Sequence, residues 1–223
     1  MPALADLADE DCVVLGLPRG GVIVAVEVAR GLAAPLDVLV VRKLGVPFQP
    51  ELAMGAIGEA GIRVLNRDVL HMARVGIHEQ RAVERREQAE LARRLAQYRA
   101  VRPREPLAGR VAVLVDDGIA TGATARAACQ VARAQGARQV IVAVPVGSGD
   151  ALGDLKTGAD AVVCLSTPEP FMGVGHWYDD FSQTTDDEVR KALVEAQAWL
   201  DTVRGNVTPS PTAPTPPAEG PTS

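Results

Sequence analysis

The stretch that decides the fold is residues 111–124, VAVLVDDGIATGAT. It begins with a run of apolar residues, which is typical of a strand buried on both faces of a parallel sheet. Asp116 and Asp117 follow at once, and small residues then lead into the helical segment 125–135. Small residues at this point allow backbone N–H groups to converge at a helix start, where a phosphate can be held. The pattern predicts a phosphate site with two acids beside it.

The two acids restrict which kind of molecule can carry the phosphate group that binds here. Carboxylates repel a phosphate unless hydrogen-bond donors lie between them. A ribose that carries a 5-phosphate has such donors, because its two secondary hydroxyl groups can donate to Asp116 and Asp117. The alternative is a solvated acidic turn after an ordinary parallel strand.

This stretch closely resembles the phosphoribosyl-diphosphate (PRPP) signature of type I phosphoribosyltransferases, in which a hydrophobic strand, two acids and a Thr/Gly loop follow one another. The resemblance implies that Asp116 and Asp117 are catalytic residues that hold the ribose hydroxyls. It also implies that the loop binds the 5-phosphate. The loop residues are Gly118, Ala120, Thr121, Gly122, Ala123 and Thr124.

The resemblance covers roughly residues 12–181 and leaves the acceptor open. The 6-oxopurine transferases of the family commonly have aspartate where this chain has Ala120. Hypoxanthine and guanine are therefore disfavoured as acceptors, and the sequence is most similar to bacterial family members whose acceptor is unassigned.

A second loop, LPRGG at residues 17–21, lies between a predicted buried strand at 12–16 and a predicted helix at 22–32. It lacks the GxGxxG spacing of a dinucleotide site. It resembles the pyrophosphate loop of the same transferases, in which the peptide corresponding to Arg19–Gly20 is often cis. The diphosphate-binding residues that this resemblance implies are Arg19, Gly20 and Gly21. Alternatively, the glycines only allow close packing of helix and strand.

The next apolar run, residues 36–41, predicts a second parallel strand that ends in Arg42 and Lys43. Open α/β sheets bind ligands at the carboxyl ends of their strands, so these two cations are predicted to bind the diphosphate and assist catalysis. Residues 45–51, GVPFQPE, are predicted to form a mobile loop, which the resemblance implies is the catalytic lid. The alternative is a basic strand end followed by an ordinary exposed loop.

Residues 52–65 contain two short apolar segments separated by GEAG, which predicts a hairpin. Glu51 or Glu59 is a candidate proton donor there. Residues 67–104 then form an Arg-rich amphipathic insertion of one or two helices. The pairs Glu84–Gln88 and Glu90–Arg94 have i,i+4 spacing, which favours a solvated, self-paired face over a nucleic-acid contact.

Further parallel strands are predicted at residues 139–144 and 161–165, joined by a crossover helix. Residues 166–181, STPEPFMGVGHWYDDF, hold most of the aromatic residues of a chain that is only 3% aromatic. Similarity to purine-salvage members implies that this segment is a hood over the acceptor, since flat side chains can stack on a base. The hood residues are Phe171, Trp177 and Tyr178. The alternative is that they plug the edge of a small core.

The composition of the chain restricts which binding partners and which cellular compartment are expected. A net charge of -5 disfavours an extended nucleic-acid surface. Cys12, Cys129 and Cys164 lack CxxC spacing, which predicts buried thiols in a reducing compartment. Neither an apolar run long enough for a membrane nor a secretory leader is present, so a cytoplasmic protein of nucleotide metabolism is expected.

Together these patterns predict an α/β parallel-sheet phosphoribosyltransferase domain at residues 1–204, followed by a disordered Pro/Thr-rich tail at 205–223. The resemblance implies an enzyme that uses PRPP, with Mg²⁺ carried on the PRPP, to transfer a phosphoribosyl group to a nitrogenous base or similar small acceptor. It allows a homodimer. The alternative function is a PRPP- or nucleotide-sensing regulator with the same fold.

Overall fold

A computed structural model describes residues 2–7 and 9–205, so the predicted tail lies almost wholly outside the described residues. In chain order the strands are β1 (Cys12–Gly16), β2 (Leu36–Val38), β3 (Val41–Val46), β4 (Gln49–Gly58), β5 (Arg63–Leu65), β6 (Val111–Val115), β7 (Gln139–Val146) and β8 (Ala161–Ser166). The α-helices are α1 (Gly20–Leu32), α2 (Arg67–Met72), α3 (Ile77–Arg99), α4 (Ala123–Ala134), α5 (Gly149–Leu155) and α6 (Asp186–Gly205). Two 3₁₀ helices span Pro2–Leu7 and Val174–Trp177.

The centre of the fold is a five-stranded parallel sheet in the order β2-β1-β6-β7-β8. Every residue of β1 and β6 is buried, because apolar side chains pack against helices on both faces. Residues of α1 and α6 share a core cluster with Val14 and Val113, whereas residues of α4 and α5 share the other with Val13 and Leu114. The predicted parallel α/β architecture is confirmed.

The strand order reverses between β1 and β6. From β1 the chain crosses to β2 on one side, and from β6 it crosses to β7 and β8 on the other. At such a switch point the loops that leave the two central strands diverge and open a crevice at their carboxyl ends. The loops that begin at Leu17 and Asp116 border this crevice.

A second sheet corrects two predictions. The apolar run at 36–41 is not one strand: β2 ends at Val38, and β3 starts a separate antiparallel sheet in the order β3-β4-β5. Arg42 and Lys43 therefore lie on a hairpin strand rather than at the end of a parallel strand. The apolar pattern of the sequence does not mark the boundary between β2 and β3, because Leu39 and Val40, which join the two strands, are themselves apolar and buried.

The stretch 45–51, predicted to be a mobile loop, is the end of the β3–β4 hairpin. Only Pro47 and Phe48 lie between the two strands. The pairing is irregular at Gly45, where a side-chain Cβ would lie 2.4 Å from the carbonyl oxygen of Pro50. This irregularity lets a proline sit within a strand that its missing N–H would otherwise disrupt.

The Arg-rich insertion forms α2 and α3, as its periodicity predicts, and α3 is fastened to the sheet edge. Arg99 donates to Asp37 at 2.7 Å and to both carboxylate oxygens of Glu59 at 2.7 Å. Asp37 lies in β2 and is 1% exposed. The neighbouring Tyr98 is buried and donates through its hydroxyl group to Asp186 at 2.6 Å. The insertion is therefore part of the folded core rather than only a solvated face.

Replacing Arg99 with glutamine should destabilise the protein strongly. The change leaves the carboxylates of Asp37 and Glu59 without their cation, and breaking a buried ion pair typically costs about 3–5 kcal/mol. Urea unfolding followed by circular dichroism measures this loss in the free energy of unfolding. Arg85→Gln, at an exposed position of the same helix, should change it by less than about 0.5 kcal/mol. Equal effects of the two substitutions would contradict a buried anchor.

Candidate functional site

The loop after β1 packs directly against the loop after β6, and glycine residues make this close contact possible. A Cβ on Gly20 would lie 2.0 Å from Oδ2 of Asp117, and a Cβ on Gly21 would lie 2.6 Å from the carbonyl oxygen of Val115. Real Cβ atoms do not approach other atoms so closely, so only glycine allows the two loops to meet. The structure thus brings together the Arg19–Gly21 loop and the acid pair, as the sequence predicted.

The acid pair, Asp116 and Asp117, is partly buried and lacks a cation. The backbone N–H of Asp117 donates to Oδ1 of Asp116 at 3.0 Å, and neither carboxylate has an ion-pair partner among the described residues. Burial raises the pKa of both groups, and the charge of Asp117 raises that of Asp116 further. A pair of this kind is stabilised by a ligand that donates hydrogen bonds.

The Thr/Gly loop presents backbone donors beside the pair. Gly122 adopts a left-handed conformation with φ of 68° and precedes the first turn of α4. Within the described chain, the amides of residues 120–122, 124 and 125 have no backbone or side-chain acceptor. These donors lie at the positive end of a helix of 12 residues, which is the arrangement that binds a phosphate group. Thr121 and Thr124 are both exposed there.

The loop after β1 differs from the prediction in one detail. The cis peptide bond joins Pro18 to Arg19, one residue earlier than the Arg19–Gly20 bond that the resemblance implied. The resemblance is therefore displaced by one residue at this bond.

The hood segment 166–181 folds over the acid pair. The hydroxyl group of Tyr178 donates to the backbone carbonyl of Asp117 at 2.6 Å, and its ring lies 5.3 Å from that of Phe181. Burial and the charges of the acid pair raise the pKa of Tyr178 to about 12, so its hydroxyl stays a donor. Trp177 remains 48% exposed. Of the three predicted hood residues, Tyr178 contacts the site through its polar end, a role that its aromatic character alone did not indicate.

Two cavities open on either side of these loops. One, of about 420 Å³, is lined by Arg19, Gly20, Asp117, Tyr178 and Phe181 among others. The other, of about 480 Å³, lies between the β3–β4 hairpin and α3 and includes Pro18, Arg42, Lys43, Glu51 and Thr124 in its wall. Although Arg42 and Lys43 stand on the hairpin, they line the same cavity as Pro18 and Thr124. They are paired there, Arg42 with Glu87 at 2.6 Å and Lys43 with Glu51 at 3.0 Å.

Sequence reasoning missed two residues of the larger cavity, Arg86 and Arg94 of α3. They stand about two turns apart on α3, and nothing in the sequence shows which element this part of the helix packs against. Of the two candidate proton donors, Glu51 lines the cavity, whereas Glu59 is held by Arg99. The predicted pair Glu90–Arg94 is present at 2.8 Å, but Glu84 pairs with Arg63 instead of Gln88.

All three cysteines are free, two of them buried. Among residues 2–7 and 9–205, no three side chains of His, Cys, Asp or Glu are grouped so as to hold a metal ion. None of the helices in those ranges is both long enough and apolar enough to cross a bilayer.

The fold and the loops define an α/β protein in which a helix start with free amides lies beside two acids. Residues 3–178 match the family model described as the phosphoribosyl transferase domain. The chain belongs to the phosphoribosyl transferase family.

Two relatives from different strains of Mycobacterium tuberculosis carry the description phosphoribosyl transferase. Each is 61% identical over 186 residues, which cover 83% of this chain and 42% of the relative. This chain therefore spans about two fifths of the length of those proteins. A Thermus thermophilus protein of known crystal structure is 48% identical, with a TM-score of 0.81, over 87% of this chain and 92% of that one.

The raised pKa values of the acid pair predict how stability depends on pH. A raised pKa means that the folded protein binds more protons than the unfolded chain, so stability falls as pH rises from the ordinary value of about 4 through the raised value. Asp116→Asn removes the ionising group and should reduce this fall. Thermal unfolding of the ligand-free protein between about pH 5 and 9 measures the difference. The exposed Asp6→Asn change is the charge control, and identical pH profiles for all three proteins would contradict the assignment.

Proposed function

We propose that this chain binds PRPP, with Mg²⁺ on its diphosphate, and transfers the phosphoribosyl group to a nitrogenous base or similar planar acceptor, releasing diphosphate. The observation that carries the proposal is the meeting of the two glycine-containing loops at an uncompensated acid pair, beside a helix start with free amides. Family membership supports the reaction class. The acceptor is left open.

The two ends of the sugar phosphate match two parts of the site. The free amides of the Thr/Gly loop, with the hydroxyls of Thr121 and Thr124, would bind the 5-phosphate. The ribose hydroxyls would donate to Asp116 and Asp117, whose burial makes such donors valuable because an unpaired buried carboxylate is costly. The ligand would thus supply a hydrogen-bond acceptor for the free amides and hydrogen-bond donors for the acid pair.

The diphosphate would bind between Arg19 and the hairpin cations. Arg42 and Lys43 each have an acidic partner in the free protein, but Glu51, the partner of Lys43, is 80% exposed. An exposed pair contributes little to stability, so Lys43 can exchange it for a phosphate oxygen. Mg²⁺ would arrive with the substrate and offset part of the diphosphate charge.

The chemistry then depends on position and charge. As the bond between C1 of the ribose and the diphosphate oxygen lengthens, positive charge develops on the sugar ring. The carboxylates of the acid pair would stabilise this positive charge on the sugar ring. The cations near the leaving group would stabilise the negative charge that develops on the diphosphate. The hood would hold an acceptor on the remaining side, with the half-exposed Trp177 available to stack on it. Glu51 is the remaining candidate to exchange a proton.

Calorimetric titration with PRPP and Mg²⁺ tests the binding step. The wild-type protein should bind, and Asp117→Asn should weaken binding about tenfold or more, as expected for one lost hydrogen bond to a charged group. Asp150→Asn, at an exposed position of α5, is the matched control. No affinity of the wild-type protein for PRPP would refute the proposal.

A diphosphate-release assay across a panel of planar bases separates the enzyme from its alternative. Release that depends on one base and disappears in Asp117→Asn supports a transferase. PRPP binding without release from any acceptor would instead support a sensor of PRPP with the same fold.

Tyr178→Phe tests the role of the hood. Losing the hydrogen bond to the carbonyl of Asp117 frees the hood while keeping the aromatic ring, so the KM for the acceptor should rise severalfold with little change in the Kd for PRPP. Steady-state kinetics combined with calorimetry measures both quantities. If the Kd for PRPP rises as much as the KM for the acceptor, the hydroxyl supports the acid pair rather than the hood.

A further inference from the structure

The cavity between the β3–β4 hairpin and α3 is strongly cationic, although the chain as a whole carries a net charge of -5. Among its lining residues the cations outnumber the carboxylates by four to two. The cations are Arg42, Lys43, Arg86 and Arg94, and the carboxylates are Glu51 and Glu87. An excess of positive charge in a partly enclosed space attracts an anion more strongly than the same charges do on an open surface.

The position of this cavity links it to the reaction. Pro18, which begins the diphosphate loop, and Thr124, in the first turn of α4, both lie in its wall. The cavity therefore opens onto both loops that are proposed to bind PRPP. An anion held there is adjacent to the substrate rather than remote from it.

Glu87 fixes two of the arginines in place. Its side chain is 9% exposed, and one of its oxygens accepts from Nε of Arg42 at 2.8 Å and lies 2.6 Å from a terminal nitrogen of the same guanidinium. Its other oxygen accepts from Nε of Arg86 at 3.0 Å and lies 2.9 Å from a terminal nitrogen of that guanidinium. A guanidinium has five N–H donors, so each arginine is oriented by one carboxylate and keeps donors for a second anion.

Arg94 is in a similar position two turns further along α3. It donates to Glu90 at 2.8 Å, but Glu90 also has a two-point contact with Arg93 at 2.9 Å. The charge of this carboxylate is thus already matched, and Arg94 adds positive charge to the cavity.

We propose that Arg86 and Arg94 bind the diphosphate of the substrate, so that the insertion helix completes the leaving-group site. This inference rests on the proposed function. During transfer, the electron pair of the C1–O bond leaves with the diphosphate, the acceptor nitrogen supplies the pair of the new C1–N bond, and its proton passes to water. The negative charge gained by the leaving group is stabilised by planar guanidiniums, which match phosphate oxygens in a two-point geometry.

Separate titrations with inorganic pyrophosphate and with ribose 5-phosphate, both in the presence of Mg²⁺, test this assignment. Arg94→Gln should weaken pyrophosphate binding about tenfold, the loss of one charge-assisted contact, and Arg86→Gln severalfold because Arg86 is 75% exposed. The affinity for ribose 5-phosphate should stay within about twofold. Arg85→Gln, the neighbouring exposed arginine, should change neither affinity. Arg94→Lys should weaken pyrophosphate binding less than Arg94→Gln does, because lysine keeps the positive charge but lacks the planar two-point donor geometry of a guanidinium.

The outcomes separate the two proposals. Unchanged pyrophosphate affinity in both glutamine variants overturns the inference while leaving the proposed function intact. Equal losses for pyrophosphate and ribose 5-phosphate also overturn it, since they indicate a general effect on the fold or charge, which circular dichroism then distinguishes. If the wild-type protein binds pyrophosphate through these arginines but binds neither PRPP nor ribose 5-phosphate, the anion site stands and the proposed function fails.

Discussion

The close approach of two backbone loops at the switch point of the sheet is the constraint on which the rest of the site depends. Five consecutive residue pairs align β1 with β6, so the two strands end together and their loops begin at the same level. The loops can then meet only because residue 20 has no side chain: a Cβ would overlap the carboxylate of Asp117. Sheet register and one missing methyl group together place the loop at residues 17–21 against the acid pair. No flexible side chain is needed to connect them.

This arrangement has an energetic cost in the free protein. Two neighbouring carboxylates are partly buried with no ion-pair partner in the part of the chain that the structure describes, and burial raises the pKa of both. The cost is offset elsewhere, because β1 and β6 are buried along their whole length between two apolar layers. A stable sheet holding an unfavourable site is a common compromise in enzymes, since groups arranged for a ligand are not arranged for their own stability.

The sequence was sufficient where local pattern and topology determine the result. Uniformly apolar segments mark β1, β6, β7 and β8, and the family resemblance assigned the loops at 17–21 and 116–124 to parts of the same ligand. It was insufficient where the outcome depends on long-range packing. Leu39 and Val40 are as apolar as the strands they join, so the change from one sheet to another left no signal. The i,i+4 rule likewise suggested Gln88 for Glu84, whereas the better partner, Arg63, is a cation on β5 that only the tertiary fold brings near.

The insertion helix shows why such long-range contacts matter for function. Along α3, Glu87 holds Arg42 of the β3–β4 hairpin, Tyr98 holds the start of α6, and Arg99 holds the sheet edge and the β4–β5 turn together. The hairpin cations are thus positioned partly through charges on α3 as well as through apolar packing. Ion pairs can exchange partners, whereas an apolar core cannot do so without opening to water. As proposed above, an anion in the cavity would contact the same guanidiniums, so its binding would be coupled to the position of the hairpin.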